Sequence, residues 1–212
     1  MIDLDKSLSI HEAVYRALRF QVMIGKIKPG ENLTLRGISS LLKVSMTPVR
    51  ESVRRLNAEG ALSLSTSGRI SVPELNNDRI EELFVLRSLL EPELASRALP
   101  RAHNALIERL IIINDLIDQM ILKKDSVGYL QKNIEFHKTL YLRAQSPTIL
   151  ASLENVWLQS GPTMKSIYDK EIKKKNTFNH KKILSALQNG DDSGLRLSVR
   201  TDIISGLNML IN

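Results

Sequence analysis

The sequence predicts a mainly α chain in two parts, three helices closed by a small β-hairpin and then an antiparallel all-helical bundle. Three observations predict it. Apolar residues recur at helical spacing through most of the 212 residues, strict alternation is confined to residues 61–72, and a polar break at Pro73 and Asn76-Asn77 separates the two patterns. The break puts the boundary near residue 75, giving parts of 1–75 and 76–212.

A first helix is expected over residues 9–24, where Ile10, Val14, Leu18 and Val22 form one stripe and Ser9 with Glu12 has capping-box spacing. It stops at Gly25, and Lys28-Pro29-Gly30 leads into a short extended link, because proline lacks the donor and glycine loosens the backbone. Ile38, Leu41 and Leu42 suggest a two-turn helix, Lys43 to Met46 a tight turn, and Thr47-Pro48 the capped start of a third helix that runs to about Glu59 and closes at Gly60. Leu62 and Leu64, a break at Ser67-Gly68, then Ile70 and Val72 read as the hairpin. The remainder divides into helices over 78–99, 103–123, 126–144, 147–172, 176–189 and 193–210, with Pro92 expected to kink the first. The loops between them are short, which favours an antiparallel bundle. The one low-complexity tract is Lys173-Lys174-Lys175.

Composition narrows the classes of function. With 42% hydrophobic and 25% charged residues the chain can fill a sizeable core, and the net charge of +7 favours polyanionic partners. There is no cysteine, which removes disulfide frameworks, thiolate zinc fingers and cysteine nucleophiles together. The N-terminal segment lacks a signal-peptide pattern, and no apolar run is long enough to span a bilayer, so a cytoplasmic protein is expected.

The order helix, helix, turn, helix, hairpin is that of a winged helix-turn-helix, in which the third helix enters the major groove N-terminus first. Donors should therefore cluster early on that helix. Arg50 and Arg54 lie one turn apart on one face, with Arg55 beside them, while Val49, Val53 and Leu56 supply the inward stripe. Arg50 suits a guanine edge, Thr47 a phosphate or base, and Arg36 the flanking backbone or groove. Ser67-Gly68-Arg69 at the hairpin tip is placed as a wing for the minor groove. A plain solvated arginine face is the competing reading, but it leaves the turn, the proline start and the hairpin without a reason.

The segment LTLRGISSLLKVSMTPVRESVRRLNAEGALSL resembles the DNA-binding domain of the GntR family of bacterial regulators, in its FadR-like branch. The resemblance implies DNA contacts at Arg36, Thr47, Arg50 and Gly68. Met46 departs from it: that position is usually an arginine, so the half-site is expected to differ. The stretches VLRSLLEPELASRAL, NIEFHKTLY and NHKKILSALQNGD extend the resemblance to an FCD-type, all-helical effector-binding and dimerisation domain. It implies a divalent metal, zinc, nickel or manganese, at positions matching Asn133, His137, His180 and Asp202, two of which depart from the usual ligand set. Periodicity independently puts His137, His180 and Asp202 on inward stripes of three helices. Asp202 can replace the missing carboxylate, giving a two-His, one-carboxylate set, whereas the amide of Asn133 is a poor fourth ligand. The competing reading is that these groups only hydrogen-bond to one another. Arg87 lies inward with Leu83, Phe84, Leu90 and Leu94; it either pairs with Glu91 one turn on or, as the resemblance implies, binds a small organic-acid effector through its carboxylate.

The expected function is thus a sequence-specific transcriptional regulator, a repressor, acting on double-stranded operator DNA as a homodimer under control of a small effector. Two alternatives stand beside it. One is a metal-dependent hydrolase or lyase on the bundle, which lacks an accompanying base or nucleophile. The other is a constitutive DNA-binding protein with a degenerate pocket.

Overall fold

A computed structural model describes residues 4–65, 68–172 and 177–211; Ser67 of the expected wing tip and the Lys173-Lys174-Lys175 tract lie outside them. The chain forms two compact units, Met1–Asn76 together with Trp157–Ser166, and Asn77–Val156 together with Ile167–Asn212.

The first unit opens with α1 (Ile10–Met23), capped where Ser9 Oγ accepts from the Glu12 amide. Only half of the expected capping box forms, because the Glu12 carboxylate turns to Arg16 and Arg55. Val14, Leu18 and Val22 are buried as expected, but Ile10 is exposed: it stands at the first turn, before the core begins. β1 (Asn32–Leu33) precedes α2 (Leu35–Leu42), which Thr34 caps by accepting from the Gly37 amide at 3.0 Å. Ile38 and Leu42 of α2 are buried whereas Leu41 points to solvent, one residue being enough to leave an 8-residue helix's inner stripe. Lys43 takes a left-handed φ of 55° and ends α2, so the chain reverses into α3 (Met46–Ala58).

The third helix begins two residues before the start expected from a Thr47 cap and a first-turn Pro48, and its cap position makes no side-chain capping bond. Ser45 is the cap, Met46 the first helical residue, and Pro48 still sits where no intrahelical donor is needed. Val49, Val53 and Leu56 face the buried Val14, Leu18 and Val22 of α1 in a shared apolar core. β2 (Ser63–Leu64) and β3 (Ile70–Ser71) make the hairpin, and β1 adds to it in the order β1-β3-β2, all antiparallel. The extended link of the sequence reading is thus a third strand, two residues long and too short to show a period. Leu64 is exposed despite sharing parity with the buried Leu62.

The piece of α7 (Pro147–Glu171) that belongs to this unit packs closely on it. Gly161 lies against the C-terminus of α1, where an added Cβ would fall 1.9 Å from the Met23 carbonyl oxygen. Gln159 donates to the Glu59 carbonyl at 3.0 Å and so caps the end of α3. No periodicity in the sequence distinguishes this piece from the rest of its helix.

In the second unit α4 (Asn77–Ala98), α5 (Asn104–Leu122), α6 (Ser126–Tyr141), α8 (Phe178–Asn189) and α9 (Asp192–Ile211) surround a core that includes Leu83, Leu94, Leu110, Phe136, Leu140, Ile183 and Val199. α4 packs on α9, α9 on α8, α8 on α5 and α5 on α6, so the helices close a ring around a shared interior. α4 runs unbroken through the buried Pro92. His103 caps α5, its Nδ1 accepting from the Leu106 amide. Among the described residues no helix is long and apolar enough to cross a membrane.

Candidate functional site

Two sites emerge, one in each unit. The first is the outer face of α3. Met46, Thr47, Arg50 and Arg54 are all exposed, on the side opposite the buried Val49, Val53 and Leu56. Arg36, in the first turn of α2, is exposed as well. Among the described residues, the side chains of Arg36, Arg50 and Arg54 make no ion pair or hydrogen bond, so their guanidinium donors are open to solvent. Arg55 behaves differently. Its guanidinium lies 3.5 Å from the centre of the Tyr15 ring and pairs with Glu12 at 3.1 Å and Glu59 at 3.5 Å. Tyr15 in turn donates to Glu59 at 2.5 Å. Burial, then the bond to Glu59, pushes the Tyr15 hydroxyl up to about 12. The arginines of α3 therefore divide into an outward pair and a member that braces α1 against α3.

At the hairpin, Gly68 adopts a φ of 81°, a conformation that side chains rarely tolerate, and has open space around it. Arg69 is exposed, with its amide donating to Ser65 Oγ at 3.0 Å and its guanidinium to Asn32 on β1. The wing arginine is thus directed along the sheet by a partner that the sequence reading did not include.

The second site lies in the interior of the helical unit. His137 on α6, His180 on α8 and Asp202 on α9 offer ligand atoms that all fall within 4.8 Å of one another. His137 Nε2 is 3.3 Å and His180 Nε2 is 3.8 Å from Asp202 Oδ2. Asn133 is buried one turn before His137 on α6.

The surrounding hydrogen bonds set the protonation of both rings. Tyr141 gives its single hydroxyl proton to Glu91 Oε2 at 3.0 Å, so its oxygen accepts from His137 Nδ1 at 3.2 Å. Asn114 Oδ1 likewise accepts from His180 Nδ1 at 3.2 Å. With the protons on Nδ1, each Nε2 carries a lone pair aimed toward the same carboxylate. His137 Nε2 is buried without a hydrogen-bond partner, with the Asp202 carboxylate oxygen 3.3 Å away. An orphaned ring nitrogen, a second lone pair and a carboxylate at this spacing fit a divalent cation. Phe136 stacks on His180 with centroids 4.2 Å apart and holds its plane.

Arg87 and Glu91 on α4 form a buried pair at 2.6 Å, with Glu91 fully enclosed. Burial alone would lower the Arg87 pKa, but the charge and hydrogen bond of Glu91 outweigh it and hold the guanidinium above its ordinary value. The pairing uses Nε and leaves the other donors of the fork; Asp202 and Tyr168 act on the same guanidinium electrostatically. Arg87 therefore makes the expected ion pair with Glu91 and still lies within electrostatic reach of Asp202. Tyr129 and Tyr168 meet edge to face at 4.9 Å beside it. Burial raises the Tyr129 and Tyr141 hydroxyls well above their usual range, so both are neutral donors.

The sequence reading missed Asn114, Tyr129 and Tyr168. Asn114 carried a faint signal, as an amide beside the apolar stripe of Leu110, Ile113 and Ile117. The tyrosines carried none, being ordinary amphipathic residues on helices of ordinary pattern.

Comparison with known proteins gives consistent matches. A family model described as bacterial regulatory proteins, gntR family, matches residues 10–72, and an FCD domain model matches residues 82–203. The HTH-type transcriptional regulator McbR of Escherichia coli is 27% identical over 195 residues, covering 90% of this chain and 88% of that protein. The gluconate operon transcriptional repressor of Bacillus subtilis is 26% identical over 149 residues, 70% of this chain and 59% of the repressor. Among solved structures, E. coli McbR/YncC superposes with a TM-score of 0.85 at 25% identity over 97% of this chain and all of that one. A protein from Rhodococcus sp. RHA1 described as a GntR transcriptional regulator shares the fold with a TM-score of 0.79 at 21% identity, covering 96% of this chain and 98% of that one.

Proposed function

Because the chain belongs to the gntR family of bacterial regulatory proteins and carries an FCD domain, we propose that it is a transcriptional regulator in which α3 reads operator DNA and a small carboxylate effector bound beside Arg87 controls operator affinity. The observation that carries the DNA half is the sorting of arginines: Arg36, Arg50 and Arg54 are exposed and uncommitted, whereas Arg55 is spent on the fold. A guanidinium fork held rigidly by a helix makes paired hydrogen bonds to guanine O6 and N7, each good pair worth ~1–3 kcal/mol of discrimination. Thr47 and the Gly68-Arg69 wing supply contacts to the backbone and the adjacent groove. A palindromic operator needs two such helices about one DNA turn apart, so the active species is a homodimer.

His137, His180 and Asp202 would hold zinc, nickel or manganese, with Asn133 as a neighbour of the set. When bound, the cation supplies a Lewis-acid contact for an effector oxygen. The chain's own residues do the rest. Asn114 and Tyr141 fix the imidazole tautomers, Phe136 fixes a ring plane, and Glu91 holds Arg87 charged and oriented so that the free side of its fork can take a carboxylate. Tyr129 and Tyr168, packed edge to face, line the same interior. An effector that prefers one arrangement of the dimer shifts the population toward it, with repression relieved if that arrangement mis-spaces the helices. The enzymatic alternative gains no support, since the relatives are named as regulators and no residue around the cluster has the setting of a nucleophile.

The test is operator selection from a randomised duplex pool followed by titration. The wild type should enrich a palindrome, and Arg50→Ala should lose preference at one base pair per half-site while keeping its non-specific affinity. A protein that enriches nothing, or an Arg50→Ala variant that selects the same site, overturns the reading.

A further inference from the structure

The exposed face of α3 begins with a side chain that cannot donate a hydrogen bond. Met46 is the first residue of the helix and is 41% exposed, flanked by the uncharged Ser45 and Thr47. Arg50 follows one turn later on the same face and Arg54 a turn after that. On the reading of α3 as the recognition helix, the leading residue goes deepest into the major groove, and here it is apolar. We propose that Met46 is a specificity-determining residue that contacts a thymine C5-methyl group, fixing an A·T pair in each half-site beside the pair read by Arg50.

The base edges leave little choice. The major groove offers N7, O6 and O4 acceptors and the N6 and N4 amino donors, and its one apolar projection is the thymine methyl. A thioether is only a weak acceptor and has no proton to give, so it gains nothing against guanine and would leave the cytosine amino group unpaired. Against a methyl it removes apolar surface from water on both sides. Its unbranched, polarisable chain can adjust to the groove floor in a way that a β-branched residue cannot.

The register follows from two repeats. One helical turn advances ~5.4 Å and one base pair ~3.4 Å, so the thymine lies about one to two base pairs from the guanine bound by Arg50. Because Met46 carries no charge, it contributes to sequence choice and leaves the salt dependence to the arginines. Its dependence on the thymine methyl distinguishes it from a residue that merely sits against the sugar-phosphate backbone.

The experiment uses the full-length wild type with Met46→Ala, Met46→Leu and Arg50→Ala in the same pool selection, then titrations on the selected duplex with single thymines replaced by deoxyuridine, which lacks only the methyl. The wild type should enrich thymine one to two pairs from the base whose preference Arg50→Ala loses. Removing that methyl should weaken wild-type binding by about fourfold, the value of one buried methyl-sized group. Met46→Leu should still respond to it. Met46→Ala should be indifferent to the methyl, and its salt slope should equal that of the wild type. Equal methyl sensitivity in wild type and Met46→Ala, or no thymine preference at that offset, overturns the proposal and leaves the recognition-helix reading intact through Arg50. If the wild type selects no sequence, both fall together.

Discussion

At the scale of single residues, neighbouring arginines on α3 differ in their surroundings, Arg54 facing solvent and Arg55 packed on Tyr15, and the proposed division of duties is measurable. Arg54→Ala should lower DNA affinity at every sequence and reduce the salt slope by about one, without changing the melting temperature. Arg55→Ala should do the reverse, because it removes the contact with the Tyr15 ring and two partly exposed ion pairs. A destabilisation of about 1 kcal/mol is expected, most of it from the cation–π contact, since the pairs are screened by solvent. Tyr15→Phe tests the same brace by deleting the bond to Glu59, at a cost of about 1 kcal/mol. The folded state favours the neutral phenol. Its contribution is therefore complete below the unfolded pKa near 10 and is lost as the pH rises through about 12. Denaturant titrations of wild type and Tyr15→Phe from pH 8 upward should keep a constant gap to about pH 10 and draw together as the pH rises toward 12; parallel curves throughout would show that the hydroxyl carries no such linkage.

At the scale of elements, close approaches and caps decide more than propensity. Gly161 sits in α7, where glycine is a poor helix former, and the contact with the Met23 carbonyl explains it. Gly161→Ala improves the helix by ~1 kcal/mol, but the new Cβ must push the end of α1 away at a cost of about 1–3 kcal/mol, so a net destabilisation of up to about 2 kcal/mol is expected. A rise in melting temperature would mean that the contact relaxes at no cost. Thr34→Ala removes the oxygen that accepts from the Gly37 amide and should cost α2 about 1 kcal/mol, read by chemical denaturation. The helices themselves were legible, since apolar stripes and the Ser9 cap follow from local chemistry, whereas the Thr47 cap was misplaced: Thr47 lies inside α3 and Ser45 holds the cap position. The third strand was not. Two residues cannot display a period, and Asn32–Leu33 becomes a strand only because β3 offers an edge to pair with.

At the scale of the whole molecule, metal binding and stability are one quantity. If a cation binds the folded cluster and not the unfolded chain, free metal at one hundred times its Kd adds about 2.7 kcal/mol to unfolding. Protein stripped with a chelator should melt lower, regain its melting temperature with zinc, nickel or manganese, and hold about one equivalent by elemental analysis. His137→Ala and His180→Ala should abolish the metal response. Equal melting curves with and without metal would point instead to the degenerate pocket. The same scale holds the charge balance: at +7 the chain is drawn to polyanions generally, so operator preference must be measured against competitor DNA at physiological salt.

The sequence by itself determined the classes of element, the family resemblance and the outward arginine face of α3, because turn chemistry, helical period and the spacing of Arg50 and Arg54 all act within a few residues. Tertiary structure decided which polar groups meet. That Arg55 braces the fold while Arg54 faces outward depends on where Tyr15, Glu12 and Glu59 lie. That His137 and His180 present lone pairs to Asp202 depends on Tyr141, Glu91 and Asn114, which stand on three different helices. Periodicity can say that a histidine points inward. Only the packed helices say which of its nitrogens keeps the proton, because that is set by partners as far as 66 positions away in the chain.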